Sequence, residues 1–267
     1  MTKKCTIWIL LILGFTFKMC FAENITFKSS LKSEDGNTLI LPGILAKPEG
    51  NGPFPSVVLL HGASGLQSNI DNIEAWSKRL VNWGYVTLII DSLGPRGIET
   101  LHGNSEELSR MVGVRTFDAY DAKSYLSNLA FVKPENIAVI GWAHGGMTVL
   151  YSVIKVNVPR QLKDKEPFKA AISFYPYCDD YLTNTNAPLL ILHGALDDWT
   201  PAESCSHFIV SKPNKHEVTL KIYPDAYHCF DCKGKDEVDR GHKLLYNPEA
   251  AKDAIMQVKS FLAKYLR

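Results

Sequence analysis

The stretch that decides the fold is Ile137-Ala138-Val139-Ile140-Gly141-Trp142-Ala143-His144-Gly145-Gly146. An apolar, mostly β-branched run ends in a glycine, and a helix-like segment from Met147 to Val156 follows. This is the layout G-x-Nu-x-G, a sharp strand-to-helix turn that lifts a nucleophile above a sheet. Glycine suits positions 141 and 145 because a side chain would clash in so tight a turn. The nucleophile position is Ala143, which has no hydroxyl, no thiol and no titratable proton.

Working outward, the same kind of buried run recurs. Ser56-Val57-Val58-Leu59-Leu60, Val86 to Ile90, Ala170 to Tyr175 and Pro188 to Leu192 are short continuous apolar segments. Such runs suit strands covered on both faces of a mainly parallel sheet. Helix-period segments stand between them: Asn69 to Trp83 with Gly84 as a stop, Val114 to Leu129, Ala202 to Val210, and Pro248 to Tyr265 with proline near N1. A hairpin is expected from Ile25 to Ala46, turning at Glu34-Asp35-Gly36-Asn37, and Glu217 to Tyr223 reads as a last strand. Residues 98–113 read as an excursion or lid-like loop. The alternation predicts an α/β fold with a mainly parallel central sheet and helices on both faces.

With 267 residues, 46% hydrophobic and 21% charged, the composition is that of a globular protein. The net charge of +1 and the lack of a Lys/Arg block give no footing for a nucleic-acid partner. Lys3 and Lys4 precede the apolar run Ile7 to Phe17, and Ala22 is a small residue at a cleavage position. Residues 1–22 are therefore expected to be a signal peptide, and 23–267 one domain, exported to a periplasm or secreted, with no stable membrane span after cleavage. Export leaves Cys178, Cys205, Cys229 and Cys232, an even number in an oxidising compartment. Structural disulfides are expected, with Cys178–Cys205 and Cys229–Cys232 the favoured pairing. A lone C-x-x-C is a poor zinc site, so neither metal nor cofactor is expected.

Acyl transfer needs a nucleophile, a base, an acid that orients the base, and two donors for an oxyanion. Sites of open α/β sheets form beyond the carboxyl ends of the strands, where each of the loops below falls. The amide of His144 follows the nucleophile position and is one oxyanion candidate. The second is Ala63 in His61-Gly62-Ala63-Ser64-Gly65. Asp197, three residues past Gly194, is the candidate acid, with Asp198 as fallback. His228, just past the strand ending at Tyr223, is the candidate base, with His242 as rival. Arg96 reads equally as a clamp for a substrate carboxylate or as an ion-pair partner of Asp91 or Asp118. Trp142 and Trp199 are candidates to wall the pocket, with core packing an equal reading.

From about Leu41 onward the chain resembles the dienelactone hydrolase family of α/β-hydrolases, in particular an exported branch. The matching residues are His61-Gly62, Asp91 to Gly97, Gly141 to Gly146, Gly194 to Pro201 with Cys205, and His228. The resemblance implies hydrolysis of a small ester or lactone through an acyl-enzyme, with Asp197 as acid and His228 as base. Family members carry Cys or Ser where this chain has Ala143. Three readings of the alanine follow: a nucleophile removed by substitution, a non-catalytic binder that keeps the pocket for a small carboxylate or ester, or a reaction without a covalent step. Oligomeric state has no signal in the sequence.

Overall fold

The computed structural model describes residues 21–267 except 34, 102–104, 155–156, 179–183 and 211–214. The expected signal peptide lies, for residues 1–20, outside the described residues.

Eight strands form the central sheet: β1 (Phe21–Lys32), β2 (Thr38–Lys47), β3 (Phe54–Leu60), β4 (Val86–Ile90), β5 (Val132–Trp142), β6 (Ala170–Phe174), β7 (Leu189–Gly194) and β8 (Val218–Tyr223). Their order is β1-β2-β4-β3-β5-β6-β7-β8. The first hairpin and its join to β4 are antiparallel, and every pairing from β4 to β8 is parallel. Ala22, placed by the sequence in the leader, stands in β1 and pairs with Ala46 of β2.

The sheet is buried on both faces because its strands alternate between two cores. Val58, Leu60 and Val139 face one core, while Val57, Leu59, Ala138 and Ile140 face the other. Full burial of each such Val, Leu or Ile is worth about 1.5–3 kcal/mol. Helices α1 (Gly65–Asn82) and α5 (Pro248–Leu266) cover one face through Trp76, Leu80, Val258 and Leu262. Helices α2 (Ser105–Ser127) and α3 (His144–Val153) cover the other through Ala119, Tyr120, Val149 and Leu150. Helix α4 (Ala202–Val210) is tied on by Cys205. Asn247 caps α5, its side chain accepting from the amides of Glu249 and Ala250 at 3.1 and 3.0 Å, with Pro248 at N1.

One expectation needs correction. Residues 105–113 are not a loop: α2 begins at Ser105, with Glu106 and Glu107 in its first turn, where the helix dipole favours acidic side chains. Met111 and Val112 are fully buried, so packing outweighs the helix penalty of Gly113. The segment after His228, to which the sequence reading assigns no element, holds a hairpin of β9 (Asp236–Asp239) and β10 (His242–Leu245). Its turn residues Arg240 and Gly241 have φ of 50° and 90°. Positive φ at both centres is the geometry of a two-residue hairpin turn.

Candidate active site

The site is built at the carboxyl ends of β3, β5, β7 and β8. The elbow at its centre is fixed by bare glycines. A Cβ on Gly141 would sit 2.2 Å from the Gly145 carbonyl oxygen, and one on Gly145 2.2 Å from that of Leu60 and 2.5 Å from that of His61. Between them Ala143 adopts φ 51° and ψ −117°. A residue with a β-carbon held there is strained by about 1–3 kcal/mol. Its amide donates to the Phe174 carbonyl at 3.0 Å, and its carbonyl accepts from Met147 at 2.9 Å. The backbone of a nucleophile elbow is thus complete, with a methyl group at its tip.

Ala143 opens into a cavity of about 410 Å³ that His228, Trp199, Ala63, His144 and Met147 also line. His228 Nδ1–H donates to Asp197 Oδ2 at 2.8 Å. Asp197 Oδ1 accepts from the amides of Trp199 and Thr200 at 3.0 and 2.9 Å. The Thr200 hydroxyl lies 3.0 Å from Asp197 Oδ2 and 3.1 Å from the Tyr175 carbonyl. Burial pushes the Asp197 carboxyl up. The hydrogen bond and charge of His228 and the Thr200 amide outweigh it, and the group is held below its ordinary value. The His228 ring lies between Tyr175 and Trp199, with ring centres 4.6 and 5.3 Å away. The fallback acid and the rival base pair with each other: His242 Nδ1 lies 3.3 Å from Asp198 Oδ1, and its ring stacks on the outer face of Trp199.

The oxyanion candidates border the same cavity, and neither the Ala63 nor the His144 amide meets an acceptor among the described residues. His61 is wholly buried and has a defined tautomer. Its Nε2 receives the Ser92 amide at 3.3 Å, so the proton is on Nδ1, which donates to the Gly62 carbonyl at 2.8 Å. Burial, then the charge of Arg115, holds the ring well below its ordinary pKa. The Asp91 carboxylate, 3.7 Å from Nε2, therefore faces a neutral ring.

Arg96 requires correction as a substrate clamp. Its two terminal nitrogens donate to the Asp118 carboxylate at 2.8 and 2.9 Å, and it is absent from the cavity wall. Asp118 is fully buried and needs a counter-charge. Trp142 touches the cavity from within the core: its ring stacks on Phe174 and its Nε1 donates to Asp231 at 2.9 Å. Trp199 is a wall residue. Cys178 bonds Cys205, and Cys229 bonds Cys232.

Three contributors are not singled out from the sequence. Thr200 braces the acid. The hairpin β9–β10 supplies Asp239, Arg240 and Leu244 to the cavity wall. Asp231 anchors the loop that carries His228. This buried carboxylate accepts from Trp76 Nε1 at 2.8 Å, Trp142 Nε1 at 2.9 Å, Asn72 Nδ2 at 3.2 Å and the Tyr175 hydroxyl at 2.8 Å. A bracing threonine three residues after an acid is visible in retrospect. The convergence on Asp231 spans separations of 56 to 159 residues and has no local pattern.

The comparisons with known proteins bear on the family and the fold. Residues 41–266 match the sequence model described as "Dienelactone hydrolase family". A Synechocystis sp. protein named "Putative carboxymethylenebutenolidase" is 26% identical over 267 aligned positions, covering 91% of this chain and 99% of its own. A dienelactone hydrolase-like promiscuous phosphotriesterase from metagenomic libraries superposes with a TM-score of 0.65 at 19% identity, over 91% of this chain and 99% of that one. Thermogutta terrifontis esterase 2 superposes with a TM-score of 0.64 at 18% identity, over 91% and 94%. At these identities the two structures establish the shared α/β-hydrolase fold.

Proposed function

Because the chain belongs to the dienelactone hydrolase family, we propose that its cavity takes a small ester or lactone and that, with alanine at position 143, it binds this ligand with little or no turnover. One observation carries the reading: the His228–Asp197 pair, the strained elbow and two unengaged amides surround one cavity, and only the nucleophile's heteroatom is missing. In a chain with Ser or Cys at 143, the hydroxyl or thiol would attack the carbonyl carbon and His228 would take its proton. Asp197 would hold the imidazole in the tautomer that accepts at Nε2, and the amides of Ala63 and His144 would receive the oxyanion.

The family supports ester or lactone hydrolysis in general terms. The choice among its esters, and the state of this particular chain, are part of the proposal. So is export: a leader at 1–22 is supported by the basic start and apolar run, and two disulfides suit an oxidising compartment. Among the described residues no helix is long and apolar enough to cross a membrane.

The test compares the parent chain with Ala143→Ser and Ala143→Cys on a short-chain p-nitrophenyl ester. At least one revertant is expected to exceed the parent by on the order of 10⁶-fold in kcat, the scale on which a triad nucleophile acts. Two inert revertants, with tight calorimetric binding of small acids or lactones by the parent, would replace the hydrolase reading with that of a binding protein.

A further inference from the structure

Arg115 is a fully buried cation that makes no direct ion pair among the described residues. Burial lowers its pKa to about 10, which leaves it charged at neutral pH, and Asp118 and Asp91 act on it only through space. Its Nε has no partner. Burying a guanidinium against neutral acceptors costs stability, so packing alone does not account for it.

Its two terminal nitrogens reach two different elements. Nη2 donates to the carbonyl of His61, the start of the loop that presents the Ala63 amide. Nη1 donates to Nδ1 of His144 at 2.7 Å, the residue that presents the other amide. An arginine can only donate, so the His144 proton is on Nε2, which donates to the Leu108 carbonyl at 3.0 Å. Burial, then the Arg115 charge, lowers the His144 pKa to about 3, so this arrangement does not titrate in the neutral range. The His61 carbonyl is also one of those against which Gly145 packs with no room for a Cβ. The loop and the elbow therefore touch at the point where the guanidinium grips them.

We propose that Arg115 is the positioning residue of the oxyanion site: one guanidinium fixes the separation of the Ala63 and His144 amides and places a positive charge behind them. His61 completes the arrangement. Its Nδ1–H polarises the Gly62 carbonyl, the other end of the peptide group that carries the Ala63 N–H. The inference rests on the hydrolase reading, and it adds the group that sets the geometry of the hole.

The experiment has two arms. In the Ala143→Ser chain, Arg115→Lys keeps a charge but cannot span both partners. It is expected to lower kcat about 10- to 100-fold, less than the roughly 10²- to 10³-fold cost of losing an oxyanion donor outright, with KM changed by less than about twofold. A thiono ester gains little from an oxyanion hole, so the oxo-to-thiono rate ratio should fall by a similar factor, which a general loss of structure would not produce. In the second arm, amide NMR spectra of the unaltered chain and its Arg115→Lys variant should show the 63 and 144 resonances displaced together. His144→Phe, which removes the acceptor that Arg115 Nη1 meets and leaves Arg115 in place, carries the same kinetic expectation should Arg115→Lys not fold. A folded variant with unchanged kcat or unchanged rate ratio overturns the proposal. If the Ala143→Ser chain is inert, the hydrolase reading has failed, and the amide arm decides the positioning role by itself: resonances that stay in place overturn it.

Discussion

Replacing Asp231 by leucine should destabilise the protein more than any other single change in the loop that carries His228. The carboxylate is buried, and the side chains that hydrogen-bond to it are neutral donors: two indoles, one amide and one phenol. Leucine keeps the branched shape, is bulkier, and accepts nothing. The indole N–H groups of Trp76 and Trp142 and the Tyr175 hydroxyl would then be buried without partners. Each such group costs about 1–3 kcal/mol. Relief of the carboxylate's own desolvation offsets part of the sum, leaving an expected loss of about 3–6 kcal/mol. For a domain of this size about 1 kcal/mol corresponds to about 2–4 °C, so the midpoint should fall by roughly 6–24 °C. Asparagine is the discriminating control. Its oxygen can serve the indoles while its amide donates to the tyrosine oxygen, and the loss should stay near 1–2 kcal/mol. Thermal and urea unfolding by circular dichroism, under oxidising conditions, measure both variants. A leucine variant within about 1 kcal/mol of the parent, or asparagine and leucine variants of equal stability, would refute the hydrogen-bond account.

Two further outcomes follow from the same structure. The Cys178–Cys205 bridge joins residues 27 apart and Cys229–Cys232 residues 3 apart, so loop-closure entropy predicts a loss of about 3.6 kcal/mol for the first double Cys→Ala variant and about half that for the second; equal urea midpoints would contradict this. Asp197 is held below its ordinary pKa in the fold, so its contribution to stability is complete above the unfolded carboxylate value of about 3.9 and is lost as pH falls through the lower folded value. Asp197→Asn should flatten that acid limb in a pH series of unfolding free energies, and a limb of unchanged slope would exclude the assignment.

The parts legible in the sequence are those governed by local physics. Leu59 and Ile140 belong to runs buried on both faces, which no helix or half-exposed strand of that length would carry. Asp197 and His228 were found because parallel strands deliver their carboxyl ends to one edge of the sheet, so order along the chain becomes proximity in space. Where pairing decided the matter, the sequence was mute. Arg96 offers the same chemistry to a substrate carboxylate as to Asp118, and only the packing of α2 shows which one it meets. The hairpin strand Asp236–Asp239 has a single apolar residue, so its periodicity carries no signal. Arg115 sits in a helix whose core face was recognised, yet its burial depends on carbonyl and imidazole acceptors from two other elements. Gly113 lowered the expected helix content just where tertiary contacts of Met111 and Val112 prevailed.

The elbow's shape does not depend on the residue at its tip. The carbonyls of Leu60, His61 and Gly145, closing on Cα atoms that carry no side chain, hold the turn, and they do so with a methyl group at position 143. Every alanine codon becomes a serine codon by one nucleotide change. Silent and reactive forms of this site are therefore neighbours in mutational space, joined by a step that leaves the backbone where it is. A lineage could cross that step in either direction, trading turnover for retention of the ligand, and the scaffold would carry no trace of the crossing beyond one side chain.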